Sequence, residues 1–448
     1  MVSKYYRRRV LKATGAGMAI AGIAGCQSSD DSNGGNGNTD GPTPSAAGDV
    51  SDDLLSGQTI QLGGLLPAPD GFIIGKDMRD AAKLAVDVLN ENGGILGADV
   101  ELVTRDTAIA PATGRQKHRE LTRNVGVDMT FGYYLENVIL NSLQSMASTK
   151  TLHISTASSS IQVPELVSER YDEFKYYFQS QPTFNDLVGA QVDFLNNFLD
   201  ETGWESAALY SEDLSLYDRY HDNLVSQLPE YVDVPVSQRT SASIANWRPL
   251  YDQAEEADVD VVLSNTALTG VAAVTQWHDQ KRSFDLGGIN VPAMDYRFWG
   301  DSNGAVENVW TMNFASPHVE VTPRARDLMD RFESKFGRPV SSYTAPETYD
   351  SILVYAKAVM ETGSLEEEDL VPYLEQMTYS EGTFIAHPPG LQYTGSDATE
   401  AHKPVYTSMS ETHTPFIQQW QQGDDYGRME AIAPADIKTA EYQHPSWI

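Results

Sequence analysis

Residues Asp77 to Asp106, DMRDAAKLAVDVLNENGGILGADVELVTRD, leave this chain few folds to choose from. Ala81, Ala82, Leu84, Ala85, Val88 and Leu89 recur at the spacing of one helical face, which predicts an amphipathic helix. Asp77 reads as its cap. Asn92, Gly93 and Gly94 end it, because glycine takes the left-handed conformation at little steric cost. These glycines follow a helix, whereas a phosphate-cradling loop precedes one, so they read as structural. Val100, Leu102 and Val103 then form a β-prone run, and Ile60 to Pro67 forms another before the helix. Strand, helix, strand is the unit of a parallel sheet, and the loops at the carboxyl ends of such strands are where ligands bind.

The alternation continues along the chain. Helices are expected at Gly114 to Arg123 and Asn137 to Thr149, with strands at Val127 to Phe131 and Thr151 to Ser155. After Tyr176 to Gln181 the pattern restarts. Helices follow at Asp186 to Leu199, Tyr217 to Leu228, Ile244 to Glu256 and Thr269 to Gln280. Strands fall at Ser206 to Tyr210, Val232 to Val236 and Asp260 to Ser264. Trp204, Trp247 and Trp277 read as core. Short connections between alternating elements predict an α/β protein with parallel sheets, duplicated at the scale of a lobe. At 448 residues the chain is long enough for two lobes.

Charge narrows the partners. Sixty-three acidic residues face 31 basic ones, a formal charge of −32. Nucleic acid is excluded as a partner, since its binding depends on Lys and Arg neutralising phosphates. The acids are scattered rather than run together, which suits a surface adapted to high salt.

Residues 1–25 read as an export signal and 26–57 as a disordered tether. Arg7 to Lys12 resemble a twin-arginine motif, with Val10 in place of the usual Phe. Ala13 to Ala24 is apolar but shorter than the ~20 residues a spanning helix needs. It ends in Ile23-Ala24-Gly25-Cys26, which resembles a lipobox, and Cys26 is the only cysteine. Lipid on Cys26 would anchor the body to the outer face of the cell membrane. Removing residues 1–25 takes five basic residues and no acid, moving the formal charge from −32 to −37.

The opening unit also resembles the leucine/isoleucine/valine-binding family of solute-binding proteins. Its LLxP strand end is Leu65-Leu66-Pro67, its AAxLAVxxxN helix is Ala81 to Asn90, its NxGGxLG turn is Asn92 to Gly97, and an acid, Asp106, closes the next strand. Further similarities are a strand at Val306 to Trp310, the segment Thr322 to Phe336, Tyr343 to Met360 with Tyr349-Asp350, and the closing hairpin Phe416 to Gly423. The resemblance implies a type I periplasmic-binding fold: two Rossmann-like lobes with parallel sheets joined by three hinge crossovers. Residues 58–178 and 314–388 would form the N-terminal lobe, and 179–313 and 389–448 the C-terminal lobe. It implies an extracytoplasmic protein that binds a small-molecule solute in the cleft and passes it to the membrane permease of an ABC importer, with no cofactor.

By the family's motifs the ligand residues would be Phe72 from the first loop, Tyr133, Tyr134 and Glu136 after the third strand, and Ala157, Ser158 and Ser159 after the fourth. The second lobe would supply Tyr217, Asn265 and Asn290, with Asp295 near enough to substitute for Asn290. Leu135 and Glu136 stand where amino-acid binders carry a serine. The expected ligand is an amino acid of branched-chain type. Urea or a short amide is the alternative, because Glu136 would repel a carboxylate and the paired tyrosines are similar to those of amide and urea binders. A ligand sensor is a further alternative. An enzyme is not expected: the sequence contains no HExxH, GxSxG or P-loop pattern, and His153 in its apolar strand reads as a packed core histidine.

Overall fold

The computed structural model describes residues 50–448 apart from 323, 342 and 380–389, so the export signal, Cys26 and most of the tether lie outside the described residues. Two parallel sheets dominate. The first has the order β2-β1-β3-β4-β5, from Thr59–Leu66 (β1), Asp99–Asp106 (β2), Met129–Gly132 (β3), His153–Ser155 (β4) and Tyr177–Gln179 (β5). The second has the order β7-β6-β8-β9, from Ser206–Glu212 (β6), Asp233–Thr240 (β7), Val261–Asn265 (β8) and Asp285–Gly287 (β9). Both sheets start 2-1-3-4, so the repeat in the sequence is a repeat of topology. In each, the strand order reverses beside the first strand, which opens a crevice at the carboxyl ends.

The helix Ile73–Glu91 buries the predicted alanine and leucine face. Gly94 ends its turn at φ 74°, and a Cβ there would lie 1.8 Å from Ala98 O. Only glycine fits that approach. Asp77 is not a cap. The helix begins four residues earlier, and Asp77 is buried in its second turn, accepting from Arg338 Nη1 at 2.6 Å and Ser341 N–H at 2.9 Å. This ties the chain around residue 340 to the first lobe. Two more expectations shift. The strand read at Val306 to Trp310 is Trp310–Asn313 (β10), since 306–309 turn to meet Trp420 O through Asn308 N–H. The helix read from Ile244 starts at Arg248, after Trp247 N–H is taken by Gln276 Oε1.

The chain passes between the lobes three times. After β5 it enters the helix Phe184–Thr202, which packs in the second lobe. After β10 it returns to the helices Ala325–Phe336 and Thr344–Thr362, which lie on Ile73–Glu91. It comes back finally to Phe416–Gln421 (β11), antiparallel to β10 and hairpinned to Arg428–Ala433 (β12). Two boundary expectations need correction. Residues 50–57 were expected in the tether, yet Leu55 is buried and donates its N–H to Leu96 O at 2.8 Å. Residues 391–403 were expected in the second lobe, but Gln179 N–H donates to His402 O and Ala401 N–H to Pro164 O, so this stretch extends the first lobe beside β5. Lys403 then pairs with Asp186 at 2.6 Å while Glu400 accepts from Thr183 and Asn185, which stitches the first and third crossings together.

Candidate ligand cavity between the lobes

The carboxyl ends of β3 and β4 face those of β6, β8 and β9 across a partly open cavity. It has about 70 Å³ open to the centres of water-sized molecules, several times the ~10–15 Å³ that one water needs. Its walls come from both lobes and from the crossings. Arg219 Nη1 reaches Glu165 Oε1 at 2.6 Å from the opposite lobe, so the lobes meet at the rim.

The loop after β3 shows how neighbouring residues part company. Gly132 has φ 117° and Tyr133 has φ 64°. That turn sends the Tyr133 ring away from the cleft, into the core beside His153, with its hydroxyl donating to Gly114 O at 3.2 Å. A Cβ on Gly114 would lie 3.1 Å from the Tyr133 ring. Burial pushes the Tyr133 phenol up. Tyr134, one residue on, faces the cavity instead, and burial followed by the Glu212 charge raises its phenol to about 12. Phe72 stands edge-on behind Tyr134, ring centroids 5.5 Å apart, and does not reach the cavity wall.

Glu136 is the first residue of the helix Glu136–Thr149 and lines the cavity, where an acid complements the positive end of the helix. Its carboxylate accepts from Ser160 Oγ, and Ser160 Oγ in turn accepts Val163 N–H at 3.1 Å. Ser160, rather than Ser158 or Ser159, thus supports the start of the helix Gln162–Glu169. Ala157, Ser158 and Ser159 lie on the wall. Ser159 Oγ donates to Gln181 Oε1 at 3.1 Å.

In the second lobe Tyr217 is fully buried on the wall, edge-on to Phe184 at 5.7 Å. Its hydroxyl has no partner among the described residues, and burial together with Glu212 pushes the phenol well up. Asn265 and Asn290 do not reach the cavity. Asn265 donates to Ser211 Oγ at 3.1 Å and accepts Ile289 N–H at 3.0 Å, joining three strand ends. Asn290 Oδ1 accepts Ala293 N–H at 3.2 Å, shaping the turn. Asp295 is held by Arg297 at 2.5 Å and is likewise off the wall.

Six of the ten expected residues therefore surround the cavity: Tyr134, Glu136, Ala157, Ser158, Ser159 and Tyr217. Phe72, Tyr133, Asn265 and Asn290 support it from behind. The residues not anticipated come from the crossings and the elements beside them: Gln181, Phe184, Leu187, Phe314 and Tyr343, with Met294 and Met312. The start of the first crossing at YYFQSQ was the available signal, since a segment entering both lobes must pass the cleft. Among the described residues no group of three or more His, Cys, Asp or Glu is gathered to hold a metal ion, and no helix is long and apolar enough to cross a membrane.

A model of the periplasmic binding protein family matches residues 59–410. Among curated protein sequences nothing matches. Solved structures give the same fold at low identity. A protein of Silicibacter pomeroyi is 16% identical with a TM-score of 0.76, covering 87% of this chain and 100% of its own. A solute binding protein of an ABC transporter from Rhodopseudomonas palustris, in complex with 3,4-dihydroxy benzoic acid, is 16% identical with a TM-score of 0.68, covering 85% and 98%. The branched-chain amino acid transporter substrate binding protein LivJ of Streptococcus pneumoniae, in complex with isoleucine, is 16% identical with a TM-score of 0.65, covering 84% and 100%.

Proposed function

The chain belongs to the periplasmic binding protein family, and from that premise we propose that it is the extracytoplasmic solute-binding lipoprotein of an ABC importer. It takes one small solute into the cavity between its lobes and hands it unchanged to a membrane permease. One observation carries this reading: a largely apolar cavity at the facing strand ends holds two buried polar groups, Gln181 Nε2 and the Tyr217 hydroxyl, that have no partner among the described residues. Buried polar atoms are ordinarily satisfied, so orphans on a cavity wall suit a ligand that completes them. Closure follows the usual linkage: the ligand favours the closed form only by as much as it binds that form better than the open one. The three crossings are the segments placed to bend. The solute is an amino acid of branched-chain type or, alternatively, urea or a short-chain amide, for which the wall offers apolar side chains and a few polar groups.

Mass spectrometry tests this directly. Protein purified in molar salt and then denatured is expected to release one small molecule, chemically unaltered and equimolar with the chain. Conversion of that molecule to a product on incubation with fresh protein would instead make the chain an enzyme.

The anchor belongs to the same proposal. Cleavage after Gly25 and lipid on Cys26 would hold the body at the membrane through residues 26–49. Cys26→Ser is expected to move the protein from the membrane fraction to the medium, and a variant that stayed equally membrane-bound would remove the anchor from this account.

A further inference from the structure

The helix Thr344–Thr362 carries an acid that the cavity does not use. Glu347 is fully buried in its first turn, and neither of its carboxyl oxygens has a hydrogen-bond partner among the described residues. It lies one turn beyond Tyr343, which is on the cavity wall, and is itself off the wall. The next residue, Thr348, donates through Oγ1 to Thr156 Oγ1 at 3.1 Å, in the loop after β4. Glu347 therefore stands one layer behind the cavity.

The segments that join the lobes meet around it. Ser180, where the first crossing begins, is close enough to act on the carboxyl, but its hydroxyl donates instead to Ser155 O at 2.9 Å. Glu347 itself heads the helix that follows the second crossing. Tyr393, in the stretch that leads to the third, faces the same acid, and its hydroxyl also has no partner among the described residues. The titratable groups nearest Glu347 are thus Asp350 and Tyr343 on its own helix and Tyr393. No Lys, Arg or His is among the groups that act on it. On the packed helix Ile73–Glu91, the buried Asp77 and Asp80 are held by Arg338. Glu367 and Asp128, from the helix Glu367–Gln376 and the start of β3, act on Tyr355 two turns further along. Burial, followed by the charge of Asp350, pushes the Glu347 carboxyl well above the ordinary glutamate range. A carboxylate buried without a partner costs far more than the neutral acid. Resting on the hinge closure read above, we propose that Glu347 is a proton switch in the hinge, neutral while the lobes meet as they do here and ionised when the crossings part and admit water. Ionisation then favours the open arrangement by as much as the carboxylate is better solvated there.

Thermal melting and small-angle X-ray scattering of the purified full chain and of Glu347→Gln, in molar KCl at pH 5.5 and pH 8, test this. Glutamine keeps the shape of the neutral acid and cannot ionise. In the native chain the proton's contribution to stability is full below the ordinary glutamate range and is lost as pH rises toward and through the raised folded value. Glu347→Gln escapes that loss, so its melting temperature relative to the native chain should rise by at least about 3 °C between the two pH values. The native radius of gyration should grow over the same interval, and that of Glu347→Gln should stay constant. Should Glu347→Gln not fold, Glu347→Met, neutral and of similar length, takes its place in both measurements. A melting difference that does not change with pH overturns the inference, as does a native radius of gyration that stays constant or one that grows equally in the variant. A melting difference that follows exchange of KCl for NaCl rather than pH also overturns it, since the carboxylate would then be ionised and held by a metal cation. Neither measurement needs a bound solute, so failure here leaves the solute-binding reading to the mass-spectrometric test.

Discussion

Glu212→Ala is expected to lower stability by ~3–5 kcal/mol, the largest effect of any single change proposed for this chain. The Glu212 carboxylate is fully buried at the end of β6. It accepts from Ala267 N–H at 2.9 Å, from Leu268 N–H at 3.0 Å, and from Thr269 through both N–H and Oγ1 at 2.6 Å. Removing it orphans three backbone donors at once, and each buried orphan costs ~1–3 kcal/mol. Relief of the carboxylate's own desolvation offsets part of that sum. For a lobe of this size the melting temperature should fall by roughly 6–20 °C. Ala267 lies on the cavity wall, so ligand affinity should fall as well. Glu212→Gln keeps an acceptor but turns an NH2 toward the same N–H groups, so it should lie between alanine and the native residue. A melting temperature unmoved by Glu212→Ala would show that the loop does not depend on this carboxylate.

Dilution of salt is expected to have an effect of similar size. Removal of residues 1–25 would move the formal charge from −32 to −37, and acids also gather locally on the fold. Glu366, Glu367, Glu368 and Asp369 are consecutive at the start of the helix Glu367–Gln376. Partial burial, followed by the neighbouring charges of Glu366, Asp128 and Glu368, raises the Glu367 carboxyl to about 7. The folded chain thus holds this proton more tightly than the unfolded one. Its contribution to stability is full below the ordinary glutamate range and is lost as pH rises through about 7. Screening extends over ~3 Å in molar salt and ~30 Å at 0.01 M, so repulsion that is local in the first case sums across the surface in the second. The melting transition should lose cooperativity as salt falls to the tens of millimolar. The loss should be greater at pH 8 than at pH 5.5, where Glu367 is neutral. A melting temperature constant from molar to dilute salt at both pH values would refute the idea of a salt-adapted surface.

The placements of Glu136 and Glu212 share a physical basis. Glu136 is the first residue of its helix, and Glu212, at the end of β6, accepts the N–H groups just ahead of the helix Gly270–Gln280; unpaired N–H groups at such helix starts favour negative charge.

Much of this was legible along the chain because the relevant forces act over short distances. The alanine and leucine spacing of residues 81–89 specifies a buried helical face, and Gly94 marks a turn that no side chain could enter. The restart of the strand and helix pattern after Gln181 predicts a second parallel sheet, and the structure gives it the same 2-1-3-4 start as the first. The tertiary structure alone decided which of two adjacent tyrosines meets the cavity, since that depends on the positive φ angles of Gly132 and Tyr133 and on the space that Gly114 leaves for a ring. It alone brought Gln181, Phe314 and Tyr343 together from positions far apart in sequence. It also seated residues 391–403 against β5 through backbone hydrogen bonds, which carry no side-chain pattern to read. Periodicity reports the environment of a segment, whereas the partner across a cleft is chosen by packing and hydrogen bonding between segments whose separation along the chain leaves no local trace.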